Sequence, residues 1–92
     1  MSLSSKEIKA LYEFFASLKS KEEFEFLFND LCTPNEIEAM AQRLQSAKLL
    51  MQGETYEKII EKTEISSATL SRVNKCVKYS NGYKTLLKDY VK

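Results

Sequence analysis

Hydrophobic residues recur three and four positions apart along most of this chain, which is the spacing of one buried face of an α-helix. The chain also has two glycines and one proline and is rich in Lys, Glu and Leu, a composition that favours helix. We therefore expect an all-α fold with about six helices. At 92 residues, the chain is predicted to form a single domain, 1–92.

Local signals for helix starts and ends divide this domain into parts. Ser4 and Ser20 each precede a Glu by three residues, which is the pattern of a capping box. Thr33-Pro34 begins the most clearly marked helix, and Gly53 is suited to end it. The predicted parts are dimerising helices in 1–32, a central helix in 33–53, a helix-turn-helix in 55–80 and a C-terminal helix in 83–92.

The first 32 residues carry more aromatic side chains than one small domain can readily bury. Phe14 and Phe26 lie off the main apolar stripes of their helices. Burying a Phe side chain contributes about 1.5–3 kcal/mol, so exposing several would forgo much of the available stability. We expect these helices to form the interface of an interlocked homodimer. A monomer with aromatic side chains on its surface is the alternative.

The stretch from Thr55 to Lys78 contains two short amphipathic patterns with a brief connection. Tyr56, Ile59 and Ile60 share one face of the first, and Leu70, Val73 and Val77 share one face of the second. The opposite face of the second carries small and hydroxyl-bearing residues followed by cations. Two helices with a tight turn, the second one facing outward, form the helix-turn-helix plan of DNA-reading proteins.

The second helix of this pair supplies most of the predicted DNA contacts. Arg72 can pair bidentately with guanine or bind a phosphate, whereas the lysines suit the DNA backbone. Each of these residues also has an alternative role. Arg72 could form a salt bridge to the central helix, for example with Glu38. The lysines could be merely solvated, and Ser66 or Ser67 could do no more than cap the helix. The predicted contact residues are Lys58, Ser67, Ala68, Thr69, Ser71, Arg72, Lys75 and Lys78.

Charge is unevenly distributed along the chain. Residues 66–92 contain six Lys or Arg and one Asp, a net charge of +5. Since the whole chain has a net charge of +1, residues 1–65 carry −4. Such an asymmetry points to a surface that meets polyanions.

The residue content excludes several classes of function. The chain has no histidine, and Cys32 and Cys76 do not have the spacing of metal ligands. His-dependent catalysis and most zinc sites are therefore excluded, and we expect no enzyme activity, cofactor or metal. No signal peptide and no apolar run of about 18 residues is evident, so we expect a cytoplasmic protein with reduced cysteines and no membrane partner.

The segments LCTPNEIEAMAQRLQSAKLLMQG and SSATLSRVNK are similar to the central helix and the recognition helix of the Trp repressor family. The resemblance runs from about Leu31 to Lys75, roughly half of the chain, and is greatest to the Trp-repressor-related branch of the family. It implies an intertwined all-helical homodimer with one helix-turn-helix per subunit. It further implies a transcriptional regulator that binds double-stranded DNA.

The same resemblance suggests an altered effector pocket. In the tryptophan-sensing members the ligand lies between the central and recognition helices. Val73 and Cys76 replace a Gly and a Ser of that pocket, and Asp30 and Cys32 replace two Leu. Val73 would occupy space that the indole ring needs. The possible effector pocket comprises Thr33, Arg43, Arg72, Val73 and Cys76, with an unknown effector.

The turn between the paired helices lacks the Gly that many helix-turn-helix units have there. Glu64 occupies this place. Either it adopts a left-handed conformation at a cost of about 1 kcal/mol, or the turn has a different form.

A helical protein–protein interaction module without specific DNA reading is the alternative function. The near-neutral net charge and the acidic residues Glu57, Glu61 and Glu64 beside the turn favour it.

We predict that tryptophan does not bind. Val73 would clash with the indole ring, and a buried carboxylate at Asp30 without a partner would be strongly destabilising. Isothermal titration calorimetry with tryptophan should give no binding heat, and micromolar affinity would contradict this prediction.

Overall fold

A computed structural model describes residues 4–91 and shows an all-α protein. Residues 1–3 and 92, at the ends of the first and last predicted parts, lie outside the described residues. The described residues form two compact units, one ending at Pro34 and one beginning at Asn35. The helices are α1 (Ser5–Ser17), α2 (Lys21–Leu31), α3 (Pro34–Met51), α4 (Tyr56–Thr63), α5 (Ser67–Tyr79), α6 (Gly82–Leu86) and a 3₁₀ helix (Lys88–Tyr90).

Both predicted caps of the first unit are confirmed. Ser4 Oγ accepts a hydrogen bond from Glu7 N at 3.3 Å and donates to Glu7 Oε1 at 3.2 Å. Ser20 Oγ accepts from Glu23 N at 3.2 Å, while Glu23 Oε1 accepts from Lys19 N at 2.6 Å. These bonds satisfy N–H groups that the helices themselves leave without partners, and so fix where α1 and α2 begin.

The first unit is held by an aromatic cluster, and none of its described residues, 4–34, is buried. Phe15, Phe24 and Phe28 contact one another, with ring centroids 5.7–6.5 Å apart. Neither α1 nor α2 contains a buried residue. Phe14 is 53% exposed and Phe26 is 75% exposed, so apolar surface remains available for a further contact.

The second unit contains the buried core. Ile59 of α4 and Leu70 and Val73 of α5 are almost inaccessible, as predicted for the inner faces of the helix pair. Tyr56, which was predicted on the same face as Ile59, is instead 36% exposed. Ile65 lies in the turn and is also buried, as expected for a turn that packs on the core. The core comprises Ala47, Leu49, Ile59, Ile65, Leu70, Val73 and Leu87.

The spacing of apolar residues predicts one stripe along α3, and this prediction is partly wrong. The predicted stripe comprises Ile37, Met40, Ala41, Leu44, Ala47 and Met51. Of these residues, Ala41 is exposed and Leu44 is 47% exposed. The buried residues of α3 are Ser46, Ala47 and Leu49. The core of this unit lies against the last turns of the helix, so burial follows the face that those turns present rather than one stripe along its whole length.

Glu64 has the left-handed conformation, which decides between the two alternatives for the turn. Its φ is 61° and its ψ is 19°, and its N–H donates to Ile60 O at 2.8 Å. Ser66, rather than Ser67, then caps α5 by accepting from Thr69 N at 3.2 Å. Glu64, Ile65 and Ser66 therefore form the whole connection between α4 and α5.

A group of polar residues connects α3 with the end of α4. Gln42 Nε2 donates to Thr63 O at 3.0 Å, and Ser46 Oγ donates to Thr63 Oγ1 at 3.4 Å. Thr63 Oγ1 also donates to Ile59 O at 2.8 Å and accepts from Ile65 N at 3.2 Å. We call Gln42, Ser46 and Thr63 the Thr63 cluster. It provides a partner for the fully buried Ser46 hydroxyl, which would otherwise be costly to bury.

Replacing Glu64 by Gly is expected to raise the free energy of unfolding by about 0.5–1 kcal/mol. Gly avoids the penalty of about 1–2 kcal/mol that a residue with a side chain has in the left-handed conformation. Gly also loses more conformational entropy on folding than a residue with a side chain, which offsets about 0.5–1 kcal/mol of this gain. Urea denaturation at fixed protein concentration measures the change. Glu64→Ala is the matched control, because it removes the same carboxylate and keeps the strained backbone. Equal stabilities of the two variants would contradict the prediction.

Candidate nucleic-acid interface and adjoining cleft

Helix α5 is fixed in rotation by its buried side. Leu70 is fully buried, Val73 is 3% exposed and Val77 is half-buried, and all three follow the helical spacing of one face. The Ser66 cap fixes the first turn, because its side chain accepts a hydrogen bond from Thr69 N. The opposite face of α5 is consequently presented to solvent over the length of the helix.

The predicted DNA-contacting residues are found on this outward face and on neighbouring α4. Thr69 is half-buried, and the others are exposed. Lys58 lies in α4, whereas the remaining residues lie in α5. The exposed members are Lys58, Ser67, Ala68, Ser71, Arg72, Lys75 and Lys78.

The first turn of α5 has an ordered pair of hydroxyl groups. Ser66 Oγ donates to Thr69 Oγ1 at 2.9 Å and accepts from Thr69 N at 3.2 Å. Because Thr69 Oγ1 is the acceptor in this contact, its own proton remains able to reach another acceptor. A half-buried hydroxyl held in this way is oriented before any ligand arrives.

Arg72 makes no salt bridge among residues 4–91. The salt bridge between Arg72 and Glu38, which was the alternative prediction, is therefore not observed. Glu38 instead lines a separate polar cleft with Gln42 and Glu64. Lys62 Nζ does pair with Glu54 Oε2, at 3.2 Å. The Arg72 guanidinium therefore keeps its charge and its donors for an external partner.

The end of α5 is stabilised by a cation from the following helix. Lys84 Nζ donates to Lys78 O at 3.2 Å. Carbonyl groups in the last turn of a helix lack intrahelical partners and carry partial negative charge, so this contact is favourable for both reasons.

A cleft of about 310 Å³ adjoins the outward face of α5. Arg43, Arg72, Val73 and Cys76 of the predicted pocket line it together. Thr33 belongs to the first unit and is not among the lining residues. Thr69 and Tyr83 complete the lining; Thr69 was predicted only as a DNA contact, and Tyr83 was not predicted as a site residue.

The chemistry of this cleft favours a small ligand with negative charge. Arg43 and Arg72 bring two guanidinium groups to one cavity, and guanidinium groups bind carboxylates and phosphates in a planar, bidentate geometry. Val73 is buried, so its isopropyl group forms apolar wall rather than open space. Because Arg72 is both exposed on α5 and part of this cleft, a bound ligand would contact the outward face directly.

A second, apolar groove lies beside this cleft. Its volume is about 420 Å³, and Cys76 and Tyr83 line both cavities. Leu44 of α3 and Leu86 of α6 line this groove and are 47% and 74% exposed. The exposure of Leu44 explains why the α3 stripe was misjudged, since this side chain lines a groove rather than the core.

Within residues 4–91, no helix combines the length and the apolarity that crossing a bilayer requires. Over the same residues, no three His, Cys, Asp or Glu side chains come together in a group suited to a metal ion.

A capped α5 on a buried core, preceded by α4 and a short turn, is the helix-turn-helix fold of a class of regulators. The sequence model of the family described as Trp repressor protein matches residues 6–90. The chain belongs to the Trp repressor family, which is a family of regulators and not of enzymes.

Relatives and solved structures agree with this membership. An uncharacterized Bacillus subtilis protein named YerC is 46% identical over 90 residues, which cover 98% of this chain and 86% of that protein. The crystal structure of a candidate Trp repressor from Staphylococcus aureus has a TM-score of 0.87 and 33% identity, covering 99% of this chain and 98% of that one. A TrpR-like protein from Eubacterium eligens has a TM-score of 0.88 and 38% identity, covering 92% and 89% of the two chains.

Proposed function

We propose that this protein is a sequence-specific DNA-binding regulator of transcription that acts as a homodimer in the cytoplasm. The observation that carries the proposal is the outward face of α5, where exposed hydroxyl groups are followed by exposed cations that form no salt bridge within residues 4–91. Membership in a family of helix-turn-helix regulators supports the same conclusion.

The residues of this face divide into two roles. Ala68, Thr69, Ser71 and Arg72 are proposed to contact base edges, because a methyl group, hydroxyl groups and a guanidinium match the pattern displayed in the major groove. The lysines at positions 58, 75 and 78, together with Ser67, are proposed to bind phosphates. Phosphate contacts add affinity and salt dependence but carry no sequence information.

A homodimer is proposed to place two copies of α5 on one duplex. Support comes from α1 and α2, which contain no buried residue and expose Phe14 and Phe26. Two-fold symmetry of the protein is matched by a near-palindromic site with half-sites about 10 base pairs apart.

The cleft lined by Arg43 and Arg72 is proposed to be the place where any effector binds. Tryptophan is not expected to be that effector, because Val73 and Cys76 replace the residues that would make room for an indole ring. The two guanidinium groups favour an anionic small molecule of a different shape.

A helical protein–protein interaction module is the second candidate. The exposed carboxylates of Glu57, Glu61 and Glu64 favour it, since they lie on α4 and the turn and would repel a nearby phosphate backbone. In that case α5 would attract DNA only weakly and without sequence preference.

Selection of bound duplexes from a random pool tests the DNA-reading function. The protein is expected to enrich a near-palindromic sequence. Arg72→Ala should lower discrimination against a single changed base pair by about 1–3 kcal/mol, or roughly 5–150-fold in affinity ratio. Lys75→Ala is the contrasting variant, and should weaken binding to all duplexes alike while lowering the salt slope by about 1.

Failure to enrich any sequence, together with weak binding that disappears at physiological salt, would contradict the regulator and support the interaction module. A measurable preference that is equally strong in Arg72→Ala would contradict only the role of Arg72.

The homodimer is tested by placing a charge on the first unit. Phe26→Lys is expected to shift the protein from dimer to monomer in sedimentation velocity, because a buried ammonium group is strongly disfavoured at an apolar interface. Tyr79→Lys is the matched control, since Tyr79 is 83% exposed but lies at the end of α5. A monomeric parent protein, or a dimer that tolerates Phe26→Lys, would contradict the proposed interface.

A further inference from the structure

Thr63 is the last residue of α4, and its carbonyl group has a partner from a distant part of the chain. The last carbonyls of a helix have no intrahelical donors. Here Gln42 Nε2 of α3 donates to Thr63 O at 3.0 Å, across 21 positions of sequence. Both residues are half-buried, so this bond is partly shielded from competing water.

The side chain of Thr63 is bonded as completely as a hydroxyl group can be. Thr63 Oγ1 donates to Ile59 O and accepts from both Ser46 Oγ and Ile65 N. A Thr hydroxyl has one proton and two lone pairs, and these three bonds use all of them. The Ile65 N–H is the first amide after the left-handed Glu64, so the strained turn is bonded at its centre.

Two side chains of α3 therefore hold the end of α4 at two separate points. Gln42 and Ser46 are four residues apart, which places them one turn apart on the same side of α3. One bonds the carbonyl of Thr63 and the other bonds its hydroxyl. Two directional bonds restrict rotation as well as distance, whereas the surrounding apolar contacts have no preferred direction.

The orientation of α5 depends on the orientation of this turn, because α5 follows it directly. Ile65 and Ser66 lead directly from Thr63 and Glu64 into α5, which starts at Ser67. Any change in the direction of the turn would rotate the outward face of α5 relative to α3. Contacts to base edges require placement within about 0.5 Å and 10–20°, while long lysine side chains still reach phosphates after a small rotation.

We propose that Gln42, Ser46 and Thr63 are positioning residues that set the orientation of α5 on α3 and thereby the discrimination between DNA sequences. The inference rests on the DNA-reading function proposed above and adds residues to it that do not touch DNA. Its two parts, orientation and discrimination, are separately measurable.

The central experiment compares Gln42→Met with Gln45→Met. Both changes replace an amide with an apolar chain of similar length on the same helix. The Gln42 side chain donates to Thr63 O, whereas the Gln45 side chain is exposed and forms no hydrogen bond among residues 4–91. A second pair separates the hydroxyl from the side-chain shape, because Thr63→Val removes the hydroxyl and Thr63→Ser retains it.

Orientation is measured without DNA, by residual dipolar couplings of the α3 and α5 amides. In the parent protein, in Gln45→Met and in Thr63→Ser, the couplings of both helices should fit one rigid arrangement. In Gln42→Met and Thr63→Val, the couplings of α5 should fit only if α5 is rotated relative to α3 or is more mobile than in the parent protein. Couplings that are unchanged in both of these variants would overturn the inference.

Discrimination is measured as the ratio of affinities for the selected duplex and for duplexes with one changed base pair. Gln42→Met and Thr63→Val should lower this ratio by about 3-fold or more, as expected for a loosened base contact, while their low-salt binding to unrelated DNA stays within about 2-fold. Gln45→Met and Thr63→Ser should keep the ratio of the parent protein.

The outcomes distinguish the two proposals. A parent protein that selects a sequence, combined with an unchanged ratio in Gln42→Met, would overturn this inference and leave the proposed function standing. A parent protein without sequence preference would overturn the proposed function and the discrimination part together. Thermal unfolding of each variant identifies any global loss of structure, and Gln42→Met still tests the inference if Thr63→Val does not fold.

Discussion

The hydrogen bonds that Thr63 receives from α3 determine where the outward face of α5 can lie. Apolar burial of Ile59, Leu70 and Val73 makes the second unit stable but does not by itself specify an angle between helices. The buried Ser46 hydroxyl supplies that specificity, because moving the turn away from α3 would leave it without a partner. A small polar contact thus selects one arrangement among several that the core would tolerate.

The two helices of the helix-turn-helix differ in their charge. The exposed carboxylates Glu57 and Glu61 belong to α4, whereas Arg72 and Lys75 belong to α5. Helix α4 also carries two lysines, so its charges cancel, whereas α5 carries Arg72, Lys75 and Lys78 and no carboxylate. A polyanion approaching this unit is therefore attracted mainly along α5, which orients it before close contact is made. The nearly neutral net charge of the chain conceals this local contrast.

The fold class and the outward face of α5 could be predicted because they depend on local rules. Helical spacing and caps such as Ser66 act within a few residues, so they are readable from sequence. The Thr63 cluster was not predictable in the same way, because it depends on how α3 is rotated against α4. The same limit explains why the burial of Leu44 was misjudged. It also explains why Tyr83 was not predicted to line the cleft, since the available signal was only an aromatic residue next to Asn81-Gly82.

Neither α1 nor α2 contains a buried residue, so in the proposed homodimer protein concentration becomes a physical variable of this molecule. Helices of 13 and 11 residues have little stability alone, and the contacts among Phe15, Phe24 and Phe28 cover their apolar sides only in part. In the proposed homodimer, order in this part of the chain would follow mass action, since the covering surface comes from a second copy. The cellular amount of the protein would then determine how many molecules can bind a DNA site with two half-sites, independently of any effector.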